Sequence, residues 1–149
     1  ERLQQIAVIL DRVPNNLQEM KKHSEVKILV IDDEPFIRES LVGFLEDCDY
    51  DVSSAESAEQ ALHLLRETPY NVAIVNLRLP GMNGDMFIQE INRLVPQIRF
   101  LIHTGSVDYR LSKKLLDIGV RPDHVFYKPQ HDLMLFVDTI EDMFKDATA

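Results

Sequence analysis

The sequence lacks several features that would place it in common protein classes. Cys48 is the only cysteine among 149 residues, so no internal disulfide can form, and a reducing compartment is expected. No apolar run reaches the roughly 20 residues that a membrane-spanning helix needs. There is no basic stripe and no zinc-finger spacing of Cys and His, and the formal net charge of -9 would repel a nucleic-acid backbone. We therefore predict a cytoplasmic protein that binds neither membranes nor nucleic acid directly.

The composition is that of an ordinary globular domain. Hydrophobic residues make up 45% of the chain and charged residues 28%, and the length suffices for one compact domain plus an appendage. The start of the chain shows no signal or transit peptide pattern. Because the chain begins with Glu1 rather than Met, we expect it to be a piece of a longer protein.

From residue 26 onward, short β-rich apolar runs alternate with segments of helical periodicity. The predicted strands are Lys27 to Ile31, Asp51 to Ser54, Asn71 to Val75, Arg99 to His103 and His124 to Tyr127. Apolar residues three and four apart follow each strand, as in Phe36, Ile37, Leu41, Phe44 and Leu45. Five such β-then-α units require right-handed crossovers and a parallel sheet covered on both faces. The prediction is a doubly wound, five-stranded α/β domain over residues 26–149, with the first, third and fourth strands buried on both faces.

Residues 1–25 precede this pattern and are predicted to be a helical extension or linker. Apolar residues recur there at alternating spacings of three and four, the pattern of a coiled-coil seam: Leu3, Ile6, Leu10, Val13, Leu17 and Met20. One interpretation is a helix that forms a homodimer or transmits a signal. The other is an amphipathic helix folded back on its own domain, and Pro14 would break either helix into two pieces.

Functional residues of a parallel sheet gather after the carboxyl ends of its strands. After the first predicted strand come Asp32, Asp33 and Glu34, three successive carboxylates that repel one another unless a cation or a basic group lies among them. The alternative is that these acids and Pro35 only begin a helix, where negative charge and proline are both favourable.

The other strand ends carry their own motifs. The third strand is followed by Asn76 to Gly84 (NLRLPGMNG), the fourth by Thr104 and Gly105, and the fifth by Lys128 and Pro129. In this combination and order, the sequence from Val26 to Phe144 resembles the receiver domains of bacterial response regulators. The resemblance implies a flavodoxin-like receiver fold and a cytoplasmic two-component signalling module that is not an enzyme in the usual sense.

The resemblance also implies a phosphoryl-transfer site. Asp32 and Asp33 match the acidic pair that holds Mg²⁺, together with residue 76 and the backbone carbonyl of Arg78. Oxygen ligands and retained waters are what Mg²⁺ prefers. Thr104 matches the hydroxyl that contacts a phosphoryl oxygen, and Lys128 matches the ammonium that pairs with the phosphoryl group.

The position of the phosphoacceptor aspartate is occupied here by asparagine, Asn76. An amide oxygen is uncharged and an amide nitrogen is not nucleophilic, so phosphorylation at Asn76 is not expected. Losing one carboxylate should also weaken the binding of Mg²⁺. Asn76 is either an engineered substitution in a working receiver or the natural residue of a pseudo-receiver, and the intact remainder of the site favours the former.

A second departure from the family pattern concerns the switch region. The stretch from Gly119 to Lys128 is predicted to be longer than usual, and the position three before the lysine, often an aromatic that moves on phosphorylation, is Val125. Phe126 and Tyr127 follow, and we interpret them as strand packing. The expected switch elements are the fourth helix, the fifth strand and the fifth helix.

Three functional hypotheses follow. The first is a phosphorelay receiver whose partners are a histidine kinase or phosphotransfer protein and an output domain. The second is a natural pseudo-receiver that binds proteins independently of phosphorylation. The third is a phosphatase or dehalogenase-type hydrolase, which needs a nucleophile and an acid separated by one residue; Asp32-Asp33-Glu34 followed by Pro35 fits this poorly.

Overall fold

The structure is a computed structural model that describes residues 23–145. Its principal elements are strands β1 (Lys27–Ile31), β2 (Asp51–Ala55), β3 (Val72–Val75), β4 (Arg99–Thr104) and β5 (Val125–Tyr127), and helices α1 (Pro35–Asp47), α2 (Ala58–Glu67), α3 (Gly84–Leu94), α4 (Lys113–Ile118) and α5 (Met134–Lys145). A two-stranded hairpin, Arg78–Leu79 with Met82–Asn83, follows β3, and a 3-10 turn, Pro122–His124, precedes β5. Within residues 23–145, no helix is both long and apolar enough to cross a membrane.

The five principal strands form one parallel sheet in the order β2-β1-β3-β4-β5. This confirms the predicted doubly wound α/β fold. The chain leaves β1 in one direction to reach β2 and then crosses back to β3, so the strand order reverses beside β1. A crevice opens at the carboxyl ends of the strands where the connections diverge in this way.

Two apolar layers enclose the sheet. One layer contains buried side chains of α2, α3 and α4, including Leu65, Phe87 and Leu115. The other contains buried side chains of α1 and α5, including Leu41 and Phe136. The four residues of β3 are all buried, and only the first residue of β1 and of β4 is partly exposed. The three strands predicted to be buried on both faces are therefore confirmed.

The strand boundaries differ from the predictions by single residues. Asn71 lies outside β3, and its side-chain oxygen accepts a hydrogen bond from the Lys27 amide at 2.8 Å. His124 belongs to the 3-10 turn and not to β5, and its ring nitrogen Nδ1 accepts a hydrogen bond from the Arg121 amide at 3.1 Å. Local side-chain hydrogen bonds of this kind compete with sheet pairing at strand ends, and sequence periodicity does not reveal them.

The hypothesis of a helical, dimerising extension concerns residues that lie almost entirely outside the described part of the chain. Its final residues are described, and His23 packs on the domain. The His23 ring stacks on the Tyr50 ring with centroids 4.2 Å apart. Its Nε2 lies 3.0 Å from a carboxylate oxygen of Glu141 on α5. Residues 23–25 therefore lie at the end of the sheet away from the strand-end crevice.

Candidate functional site

Backbone hydrogen bonds bring the strand-end residues to one edge of the sheet. The amide of Asp32 donates to the carbonyl of Ala55 at 3.0 Å, and the amide of Asn76 donates to the carbonyl of Ile31 at 2.9 Å. The amide of Lys128 donates to the carbonyl of Thr104 at 2.7 Å. The parallel pairing thus continues for one residue past β1, β3 and β5. As a result, the loops that follow β1, β3 and β5 begin side by side along the carboxyl edge of the sheet.

The side chain of Asn76 lies among three acceptors. Its amide nitrogen Nδ2 is 3.3 Å from Oδ1 of Asp32, 3.1 Å from Oδ1 of Asp33 and 3.1 Å from the carbonyl oxygen of Arg78. The nitrogen faces them because the reverse orientation would place the amide oxygen against two carboxylates. Asn76 is only 4% exposed. The amide therefore donates to the same oxygens that the sequence predicts as cation ligands.

Lys128 supplies the positive charge that the acidic cluster requires. Its ammonium nitrogen Nζ lies 2.9 Å from Oδ2 of Asp32 and 3.0 Å from Oε1 of Glu34. The side chains of Lys128 and Asp32 are 8% and 4% exposed, so this pair is largely desolvated. A desolvated ion pair is costly to break, because the remaining charge loses its partner without gaining water.

Asp32 is further held through its backbone and its second oxygen. Oδ1 of Asp32 accepts a hydrogen bond from the Glu34 amide at 3.0 Å, and the Asp32 carbonyl accepts one from Nη1 of Arg38 at 2.8 Å. Pro35 is the first residue of α1, as the helix-start alternative predicts. The Glu34 side chain, however, makes no capping hydrogen bond and pairs with Lys128 instead. The acids thus do more than begin a helix.

A tight hairpin directs the Arg78 carbonyl towards Asn76. Gly81 turns the chain with φ of +81°, a conformation that disfavours residues with a Cβ. A Cβ on Gly84 would lie 2.5 Å from the Cα of Leu77, so only glycine permits this close approach. Asn83 then caps the start of α3, with its side-chain oxygen accepting from the Asp85 amide at 2.8 Å. The side chain of Arg78 is exposed, which leaves its carbonyl as the part that meets the site.

Thr104 completes this edge of the sheet at the end of β4. It is fully buried, and its hydroxyl oxygen Oγ1 accepts a hydrogen bond from the Ser106 amide at 3.1 Å. Asp32, Asp33 and Glu34 offer carboxylate oxygens that all lie within 4.8 Å of one another. The edge therefore combines clustered oxygen ligands, one ammonium group, one hydroxyl and one amide.

A family model for the response regulator receiver domain matches residues 28–136 of the chain. The chain belongs to this family. Its members are receiver domains of two-component response regulators, which are signalling modules, and membership argues against the hydrolase alternative. The predicted receiver fold is confirmed.

Individual relatives agree with this assignment. Response regulator GtcR of Aneurinibacillus migulanus is 35% identical over 106 residues, which cover 71% of this chain and 43% of GtcR. Transcriptional regulatory protein AruR of Pseudomonas aeruginosa is 36% identical over 87 residues, covering 55% of this chain and 35% of AruR. The chain thus spans less than half the length of these relatives.

Solved structures show the same fold. A response regulator receiver domain protein from Clostridium thermocellum superposes with a TM-score of 0.72 at 25% identity, covering 83% of this chain and 97% of that one. Response regulator TrrA of Thermotoga maritima, in complex with Mg²⁺-BeF, superposes with a TM-score of 0.68 at 24% identity, covering 78% of this chain and 97% of that one.

The predicted switch residues of the receiver lie on β5, beside the acidic cluster and not within it. Val125 is partly buried against the α2-α3-α4 layer. Tyr127 is paired with Thr104 across the sheet, and its hydroxyl donates to the carbonyl of Tyr109 at 3.0 Å. The interpretation of Phe126 as packing is confirmed, because it is buried and stacks on Phe136. The packing interpretation is incomplete for Tyr127, because its hydroxyl also donates a hydrogen bond to the loop that follows β4.

Sequence reasoning missed three polar features of this receiver. Glu34 pairs with Lys128, Arg38 holds the Asp32 carbonyl, and His103 is buried beside Thr104. Among the described residues, neither ring nitrogen of His103 has a hydrogen-bond partner. Burial and, to a smaller extent, the charge of Lys128 lower the pKa of His103 to about 4. The one available signal was a histidine at the end of an apolar strand, RFLIH.

Proposed function

We propose that this chain is a phosphorelay receiver in a form that cannot be phosphorylated at Asn76. The observation that carries the proposal is the position of Asn76 Nδ2 among Asp32, Asp33 and the Arg78 carbonyl. A phosphoacceptor must present an anionic oxygen to the incoming phosphorus. Here the equivalent side chain presents an amide, which has no such oxygen to offer.

The residues around Asn76 suit a hard divalent cation. Carboxylates of Asp32 and Asp33 and the Arg78 carbonyl are oxygen donors of the kind that Mg²⁺ prefers, and TrrA is described in complex with Mg²⁺-BeF. When bound, Mg²⁺ would neutralise charge on the transferring phosphoryl group. In this chain the Asn76 amide would first have to give up its hydrogen bonds to these oxygens. The site also has one carboxylate fewer, so we expect weakened Mg²⁺ binding.

Two further side chains are assigned to the phosphoryl group. Thr104 can offer its hydroxyl to a phosphoryl oxygen, and Lys128 can offer its ammonium group as a point charge. Lys128 now pairs with Asp32 and Glu34, so it would have to exchange these partners for the phosphoryl oxygens. With asparagine at position 76, we expect the domain to stay near its unphosphorylated arrangement.

A natural pseudo-receiver is the second candidate, and one observation favours it. The Asn76 amide and the Lys128 ammonium group together donate to Asp32, Asp33, Glu34 and Arg78. The carboxylates of the acidic cluster thus have hydrogen-bond and ionic partners even without a bound cation or phosphoryl group. Such a domain could bind a partner protein in one fixed arrangement. Both candidates predict the same chemistry at Asn76 and differ in the residue that the natural gene encodes.

The wider setting is proposed from the family. A histidine kinase or phosphotransfer protein would be the upstream partner, and an output domain or a separate protein would receive the signal. A cytoplasmic location, a homodimer formed through residues 1–25 and the lack of direct contact with nucleic acid or membranes stay predictions.

Phosphorylation of an Asn76→Asp variant tests the proposed function. The chain and the variant are each incubated with acetyl phosphate and Mg²⁺, and the intact mass is measured. The variant should gain the mass of one phosphoryl group, and the parent should gain none. Asn83→Asp is a matched control, because it adds a carboxylate to the same loop at an exposed position and should gain none either.

Two results would contradict the proposal. A variant that takes up no phosphoryl group would mean that this edge of the sheet is not a phosphoryl-transfer site. A parent chain phosphorylated at Asn76 would mean that the amide does not prevent the reaction.

A further inference from the structure

The loop of residues 105–112 connects β4, which carries Thr104, to α4. At its start, Thr104 Oγ1 accepts a hydrogen bond from the Ser106 amide. At its end, Ser112 caps α4, with its hydroxyl oxygen accepting from the Leu115 amide at 3.3 Å. Helix α4 has only six residues, too few to be stable by itself. Its position must therefore depend on tertiary contacts made by the helix and by this loop.

Tyr109 attaches the middle of the loop to α3. Its hydroxyl donates to Oδ1 of Asp85, in the first turn of α3, at a distance of 2.9 Å. The Tyr109 ring packs against the α2-α3-α4 core layer. Burial and the adjacent Asp85 carboxylate raise the pKa of Tyr109, so the phenol keeps the proton that it donates.

Tyr127 attaches the same loop residue to β5. Its hydroxyl donates to the Tyr109 carbonyl at 3.0 Å, and Nη1 of Arg110 donates to this carbonyl at 2.8 Å. Tyr127 directly precedes Lys128 in the chain and lies opposite Thr104 in the sheet. Tyr109 is thus held at its side chain by α3 and at its backbone by β5, the strand that ends directly before the site lysine.

We propose that Tyr109, Asp85 and Tyr127 form a clasp that positions the 105–112 loop and helix α4, and that opening this clasp allows α4 to move. The clasp itself is independent of the chemistry at Asn76. Its coupling to a phosphoryl group rests on the proposed function.

Hydrogen exchange in the parent chain tests the clasp directly. The amides of Leu116 and Gly119 report on α4, because they donate within its hydrogen bonds to Ser112 and Leu115. Tyr127→Phe should accelerate their exchange roughly 2- to 10-fold, the effect of losing one neutral hydrogen bond. Tyr109→Phe removes a hydrogen bond to a carboxylate and should accelerate it roughly 10- to 100-fold. Amides in β1 and β3 should keep their parent rates.

Matched variants separate a specific hydrogen bond from general loosening. Tyr50→Phe removes a buried hydroxyl for which the described residues offer no hydrogen-bond partner, and it should leave α4 unchanged. Asp85→Ala should reproduce Tyr109→Phe, whereas Asp85→Asn, which retains a neutral acceptor oxygen, should exchange more slowly than Asp85→Ala. Unchanged exchange in Tyr109→Phe, or acceleration shared equally by β1 and β3, would overturn the clasp.

The coupling is tested in an Asn76→Asp background with Mg²⁺ and beryllofluoride. The ligand should shift the amide resonances of both Thr104 and Leu116. Adding Tyr109→Phe should reduce the Leu116 shift by at least half and leave the Thr104 shift intact. A full Leu116 shift would overturn the coupling. If Asn76→Asp binds no beryllofluoride, the proposed function fails along with the coupling, and hydrogen exchange still decides whether the clasp holds α4.

Discussion

Two buried polar groups at the carboxyl edge of the sheet are stabilised in opposite ways. The Asp32 side chain is charged and surrounded by donors from Asn76, Lys128 and the Glu34 amide. His103, at the end of β4, lies edge-on to Phe136 with ring centroids 5.1 Å apart, and its nitrogens have no partner among the described residues. A buried carboxylate needs ionic or hydrogen-bonding partners to offset its lost hydration. A buried imidazole avoids the cost of a buried charge by remaining unprotonated.

The two groups differ because one lies among loops and the other faces an apolar helix layer. The acidic cluster lies where the loops diverge, so donors from several loops can reach it. His103 faces the aromatic pair Phe126 and Phe136 in the α1-α5 layer. We therefore expect the first group to respond to loss of a donor, and the second to respond to pH.

The largest expected effect comes from removing the Lys128 ammonium group, which pairs with Asp32. Lys128→Met leaves Asp32 desolvated beside two other carboxylates, and the free energy of unfolding should fall by about 3–5 kcal/mol. Urea denaturation measures this loss. Lys27→Met is the control, because its pair with Asp51 is 3.6 Å apart and exposed, and its loss should cost roughly 0–1 kcal/mol. Equal effects of the two substitutions would remove the distinction between buried and exposed pairs.

The second effect is the pH response of His103. Its pKa is about 4 in the folded protein against an ordinary 6.5, so the unfolded chain binds more protons between these values. The contribution of His103 to stability is therefore present above pH 6.5 and is lost as the pH falls towards 4. The full loss is roughly 3 kcal/mol.

Comparison with His103→Leu isolates that contribution from the carboxylates. Denaturation of the two proteins from pH 7.5 to 4 should show the parent losing stability relative to the variant as the pH falls. Parallel pH profiles would mean that the imidazole is not held neutral by burial.

The smallest expected effect is the change in stability when the amide at position 76 is replaced by a carboxylate. Asn76→Asp replaces a donor with a third carboxylate facing Asp32 and Asp33, so without divalent cations the variant should be about 1–3 kcal/mol less stable than the parent. Added Mg²⁺ binds the folded variant and should raise its stability in a concentration-dependent manner. Thermal melts over a Mg²⁺ series measure this, with Ca²⁺-free and Mg²⁺-free samples as the baseline. A parent that Mg²⁺ stabilises as strongly as the variant would contradict the expected weakening.

Much of the fold follows from local pattern. The alternation of apolar runs with helical spacing predicted five strands and five helices, because strand and helix periodicities are properties of short segments. Strand ends were predicted to within one residue. Strands β2 and β4 extend one residue further, to Ala55 and Thr104, whereas Asn71 and His124 fall outside β3 and β5, where their side chains bond to backbone amides.

The sequence by itself determined which chemical groups this receiver carries at its strand ends: carboxylates after β1, an amide after β3, a hydroxyl at the end of β4 and an ammonium group after β5. Only the tertiary structure decided how they pair. Glu34 meets Lys128 across 94 positions of chain, and Tyr109 meets Asp85 across 24. Such partners are chosen by strand order and helix packing, which act over distances that no local pattern contains.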